Sequence, residues 1–219
     1  MAKTARGYHH GDLARALMDA ALGLVQRDGE ASFTLREAAR QVGVNHAAVY
    51  RHFADKTALL AAIAHEGWVD LVERFAAALP APCHDAGAAD DGDAGARDDD
   101  RPAVERLVVV ARTYARFAFD RPAHYRVMHG PRLNLDGRHP ELEGPLEEAL
   151  DVVRREVQRG IDRKELAPRD PTTAALGLWA NLHGVLHLHQ MRRLRVKKAA
   201  AEAFVLALVR PAIVGLTLP

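Results

Sequence analysis

Apolar residues recur along this chain at three- and four-residue spacing, with Arg, Glu and Asp between them, which predicts amphipathic helices rather than strands. Leu13, Leu17, Ala20, Ala21, Leu24 and Val25 share one face of a first helix, opened by Asp12 as N-cap and closed at Arg27-Asp28-Gly29. Thr34 and Glu37 form a T-x-x-E capping box for a second, short helix through Val42, which Gly43 stops. Asn45 caps a third short helix to about His52. Asp55 opens a long fourth that carries Leu59, Leu60, Ile63, Trp68, Leu71, Val72 and Phe75.

From Pro80 to Pro102 the periodicity vanishes, and PAPCHDAGAADDGDAGARDDDRP is expected to be a disordered acidic loop. Helical patterning resumes from Ala103 to Phe119, breaks at Asp120-Arg121-Pro122 and returns from Ala123 to His129. GPRLNLDGRHP then reads as a second loop. Helices follow at about Glu141 to Arg163, Pro171 to Gln190 and Lys197 to Leu216, with Pro211 expected to kink or end the last. The expected fold class is all-α. A helix-turn-helix domain at 1–56 precedes a helical domain at 57–219, to which the family resemblance given below assigns ligand binding and dimerisation.

Charge changes this picture only when divided along the chain. Lys and Arg total 30 against 29 Asp and Glu, a net charge of +1 that removes the simplest argument for a polyanion partner. Seven aspartates and two arginines make 84–101 about five charges negative, so the rest of the chain stands near +6. A single cysteine, Cys83, excludes an internal disulfide framework and a four-cysteine zinc site, and it fits a reducing cytosol. The opening MAKTARGYHHGD has no secretory pattern, and no apolar run approaches the roughly 20 residues of a membrane span. A cytoplasmic location is expected.

The second and third helices, separated by Gly43-Val44, have the dimensions of a helix-turn-helix. Gly43 suits a left-handed turn. Ala38 and Ala39 permit a close crossing, and Val42, Val49 and Phe53 supply a small core. In such a unit the start of the second helix meets base edges, which marks Asn45, His46 and Ala47. Thr34, Tyr50, His52 and Lys56 are suited to phosphate, with Arg36 and Arg51 as further contacts. Tyr50 equally fits a half-buried packing position.

The stretch from His10 to Leu60, above all FTLREAARQVGVNHAAVYRHFADKTALL, resembles the DNA-binding domain of the tetracycline-repressor (TetR) family of bacterial regulators. The resemblance rests on Gly43-Val44, on Y-x-H-F from Tyr50 to Phe53, and on Lys56 and Leu59. It implies a dimeric repressor on a roughly palindromic operator, released when a small ligand enters the C-terminal domain. By the same resemblance Thr34, Tyr50, His52 and Lys56 touch phosphate, while Asn45, His46 and Ala47 face bases.

In the C-terminal half, YARFAFDRPAHYRVMHG and the W-x-x-x-H-G of Trp179, His183 and Gly184 resemble the subset of that family with a Trp-His-Gly effector domain, as does YHHGDL at Tyr8 to Leu13. His129 departs from the expected aromatic residue, and the acidic insertion is not part of the pattern. Tyr114, Phe117, Tyr125, Met128, His129, Trp179 and His183 are candidates for an apolar ligand pocket, or simply for the core. Leu178, Leu182 and Leu186 with Phe204 and Leu208 are the candidate dimer interface. His183 and His187, with His129 or His124, raise a metal-responsive alternative. Arg192, Arg193, Arg195, Lys197 and Lys198 form a basic cluster, either a solvated loop or a second DNA contact.

Two other classes compete. A helical-bundle enzyme using His183 would need a nucleophile, a phosphate-binding glycine loop or paired carboxylates, and no motif supplies them. A non-specific architectural DNA protein would need a larger basic surplus. The expected partners are double-stranded operator DNA, a small-molecule effector and a second copy of the chain, with no cofactor, no membrane and no catalytic activity.

Overall fold

Capping chemistry and apolar stripes set the helices of the computed structural model, which describes residues 10–29, 31–79 and 100–217. The described residues are all-α, with a single bridge between Leu166 and Thr217. Cys83 and nearly all of the acidic stretch expected as a loop lie outside them. The helices are α1 (His10–Asp28), α2 (Leu35–Val42), α3 (His46–Val49), α4 (Lys56–Ala78), α5 (Ala103–Asp120), α6 (Pro122–Met128), α7 (Glu143–Asp162), α8 (Pro171–Gln190) and α9 (Ala201–Val214). None is long and apolar enough to cross a membrane among the described residues.

Packing divides the chain into two units, 1–68 with 121–143, and 69–120 with 144–219. The first unit therefore runs past a cut at residue 56 and recruits α6. Within it α1 packs on α2 and α6, and α2 on α3. Leu17, Ala21, Leu24 and Val25 of α1 are buried with Phe33, Ala38, Val49 and Phe53, so the apolar stripe read along α1 is the inner one. Glu66 of α4 joins three helices, accepting from Arg15 Nη1 at 2.6 Å while its Oε1 lies 3.2 Å from His124 Nε2.

In the second unit α5, α8 and α9 pack together. Ala175, Leu178, Leu182 and Leu186 line the inner side of α8, and Val205, Val209 and Ile213 that of α9. Arg106 is fully buried, with Nε donating to Glu156 Oε2 at 2.7 Å and Nη1 to the carbonyl of Arg101. Gly160 lies where a Cβ would come 2.6 Å from Leu166 Cδ1, so only hydrogen fits there. Pro211 does not end α9 at its own position. The helix runs on to Val214, and the Pro211 carbonyl accepts from Gly215 N at 2.9 Å. A proline so near the C-terminus removes one helical bond, and little helix remains beyond it to distort.

Candidate nucleic-acid interface

Local hydrogen bonds build the helix-turn-helix. Thr34 is extended at the head of α2, its Oγ1 accepting from Glu37 N at 3.3 Å while Glu37 Oε2 accepts from Thr34 N at 2.7 Å, a complete capping box. These bonds hold the Glu37 carboxyl below its usual range. At the other end Gly43 sits at φ +76°. Its N–H donates to Arg40 O at 3.2 Å and that of Val44 to Ala39 O at 3.0 Å, a Schellman turn. Asn45 Oδ1 then accepts from Ala47 N at 3.0 Å and starts α3.

The third helix is shorter than the sequence suggests. Regular α structure covers four residues, His46 to Val49, not the stretch to His52. Beyond Val49 the chain tightens: Arg51 N bonds Ala48 O and His52 N bonds Val49 O, each three residues back, before Phe53 N returns to Val49 O. Such bonds close the last turn of a short helix without extending it.

The geometry sorts the candidate residues. Asn45, His46 and Ala47 are all exposed at the head of α3. Tyr50 is half exposed, its ring 5.6 Å from that of His46 in an edge-to-face contact, so it is not a core residue. Thr34, Arg36, Tyr50 and Lys56 come together along one open cleft of about 420 Å³, whose other walls include Phe33 and Asp55. Arg51 is exposed and His52 half-buried, and neither borders that cleft.

Lys56 has a second connection that its sequence position does not announce. Its Nζ donates to Phe33 O at 2.8 Å and Ala31 O at 3.1 Å and lies 4.4 Å above the Phe33 ring. The ammonium thus ties the start of α4 to the turn before α2. Asp55, which accepts from Ala58 N at 2.8 Å, caps the same helix and is held below the usual carboxylate range chiefly by that bond.

The candidate pocket residues fall into separate groups. Tyr125, Met128 and His129 belong to the first unit, where the His129 ring lies 4.6 Å from Tyr125 and 5.2 Å from Trp68. Tyr114, Phe117, Trp179 and His183 belong to the second, where Trp179 Nε1 donates to Tyr114 Oη at 3.2 Å. Phe117 and Tyr125 are core residues, with 0% and 1% of their surface exposed. Arg74 stands 5.5 Å from the Phe117 ring.

His183 and His187 are neighbours, ring centroids 5.9 Å apart, and burial first, then His187, pushes the His183 imidazole below its usual value. Among the described residues no group of three or more His, Cys, Asp or Glu side chains is placed to hold a metal. His124 and His129 lie in the first unit.

The dimer candidates need correction. Leu178, Leu182 and Leu186 are at most 8% exposed within the chain's own core, so they are not available to a partner copy. The outward apolar residues of α8 are Leu176, Ala180 and Leu188, and those of α9 are Ala203, Ala207, Leu208 and Val214, with Phe204 half-buried. Because α8 is apolar around most of its circumference, periodicity alone does not say which stripe turns inward.

Two family models match. One, described as bacterial regulatory proteins of the tetR family, spans residues 17–63, and the other, a tetracyclin repressor-like C-terminal domain, spans 107–210. No curated protein matches the chain significantly. Among solved structures, a protein with unknown function from Rhodococcus sp. RHA1 is 26% identical with a TM-score of 0.73, over 98% of this chain and 100% of its own. A bacterial regulatory protein in the tetR family from Rhodococcus RHA1 is 20% identical, TM-score 0.69, over 94% and 98%. The transcriptional regulator FadR from Bacillus subtilis, in complex with stearoyl-CoA, is 17% identical, TM-score 0.68, over 90% and 98%. With an N-terminal and a C-terminal model of one family matched in order on an all-α chain with a capped helix-turn-helix, this protein belongs to the TetR family and is a DNA-binding transcriptional regulator.

Proposed function

We propose that the protein is a homodimeric repressor, not an enzyme, that holds a palindromic operator in the cytoplasm and leaves it when a small-molecule effector binds. The observation that carries the reading is the exposed trio Asn45, His46 and Ala47 at the capped start of α3, beside the cleft of Thr34, Arg36, Tyr50 and Lys56. Asn45 and His46 bring hydrogen-bonding groups to base edges, and the Ala47 methyl suits a thymine methyl. Thr34, Arg36, Tyr50, Arg51, His52 and Lys56 contact phosphate and set the register without reading sequence.

The outward stripes of α8 and α9, led by Leu176, Ala180, Leu208 and Val214, are the surface for a second copy. Two-fold symmetry then pairs the reading heads with an operator of matching symmetry. In the second unit the Tyr114–Trp179 pair and half-buried His183 are the polar groups assigned to the effector. That FadR, of similar fold, is seen with stearoyl-CoA supports a small-molecule effector.

A competition assay tests the reading, with duplexes from the DNA flanking the protein's own gene against scrambled duplexes of equal length. Replacing Asn45 or His46 with Ala shifts the preferred bases, whereas Tyr50→Phe weakens all sequences alike. Equal binding of flanking and scrambled DNA by the unaltered protein overturns specific regulation.

A further inference from the structure

We propose that the loop after α6 is part of the DNA-binding surface, with Arg132 as a phosphate-binding group outside the helix-turn-helix. The inference rests on the reading that the Thr34–Lys56 cleft meets the DNA backbone. It starts from where the loop lies. Arg138 Nη1 donates to Asp55 Oδ2 at 3.3 Å, at the residue that caps α4, and Arg138 also pairs with Asp136. Arg132, Lys56 and Thr57 line a second cleft of about 260 Å³ with apolar walls from Leu60, Val127 and Leu133. Lys56 borders both clefts, so the loop stands directly beside the phosphate-facing side of α4.

The loop is held in shape. Asn134 Oδ1 accepts from His139 N at 2.8 Å, Asn134 Nδ2 donates to Glu143 Oε1 at 2.9 Å, and Gly137 makes the bend at φ +71°. These bonds order the backbone directly after Arg132, so the loop has less backbone freedom to lose on binding.

The two loop arginines differ in what faces them. Arg138 is matched by two carboxylates. Arg132 is exposed, and no carboxylate pairs with it among the described residues. Exposed and unmatched beside Lys56, its guanidinium suits bidentate binding of a phosphate.

The test uses the full-length protein and a labelled 30-base-pair duplex of random sequence, titrated at several salt concentrations. For each phosphate that Arg132 neutralises, Arg132→Gln is expected to weaken binding about eightfold at 0.1 M salt and to lower the slope of log affinity against log salt by about 0.9. Arg132→Lys restores most of both. The thermal melting curve stays unchanged, because the side chain is exposed and makes no ion pair among the described residues. An Arg132→Gln variant with unaltered affinity and slope overturns the proposal, and so does weaker binding with an unchanged slope. Tyr50→Phe is the control that separates the two readings: if it too binds undiminished, the phosphate role of the first cleft fails, whereas weakening in Tyr50→Phe alone sinks only the role of Arg132.

Discussion

The helix-turn-helix and the α8–α9 packing use their surfaces in opposite ways. In α2 and α3 the buried positions are apolar and the exposed ones mostly polar, and every terminus except the end of α3 is closed by a side chain or a glycine a few residues away. In α8 and α9 apolar residues face both ways, buried at Leu182 and Leu186 and exposed at Leu176 and Leu208. The first region is specified by local chemistry. The second takes its meaning from what packs against it, and so mutations in the two should differ in size and kind.

The largest effect is expected at Arg106. Removing it by Arg106→Ala leaves Glu156 without its buried partner, and loss of one member of such a pair costs about 3–5 kcal/mol. Urea denaturation checks this, and an unchanged midpoint would contradict the pairing. Next comes the contrast between the two stripes of α8. Leu186→Ala opens a cavity and costs about 2–5 kcal/mol of folding stability. Leu176→Glu with Leu208→Glu is expected to leave each chain folded and instead to dissociate the proposed dimer, which sedimentation velocity reads. If the outer pair unfolds the chain while Leu186→Ala is silent, inner and outer faces have been exchanged.

In the head the effects are smaller and local. Thr34→Ala removes the capping box and costs about 1 kcal/mol, seen as a modest drop in melting temperature. The smallest is a pH effect at His183. Its pKa is lowered in the folded chain, so below the ordinary value of 6.5 the unfolded chain binds more protons, and stability declines as pH falls from there. His183→Gln should flatten that decline between about pH 5 and 7 in denaturation midpoints. An identical slope would place the titration elsewhere.

Much of the fold was legible because its signals are short-range. Thr34, Glu37, Gly43 and Asn45 act within three or four residues, and α8 runs over the predicted span from Pro171 to Gln190. The end of α3 was less so, since the bonds that tighten it after Val49 leave no trace in residue type. The longer reach of Lys56 to Ala31 and Phe33, of Glu66 to Arg15 and His124, and of Arg138 to Asp55 could not be read. Each joins residues more than twenty positions apart, and nothing in a lysine or glutamate states which distant carbonyl or cation will face it.

The sequence alone determined the helical class, the capped helix-turn-helix and the residues at the head of α3, because helix periodicity and capping are decided by neighbours along the chain. Only the tertiary structure decided that α6 belongs with the N-terminal helices, that Leu178, Leu182 and Leu186 face inward, and that Arg132 and Lys56 line one cleft. Those facts depend on which apolar face loses its water and against what. Burial is proportional to the area removed and indifferent to direction, so the chain's pattern permits several arrangements and the packed whole selects one.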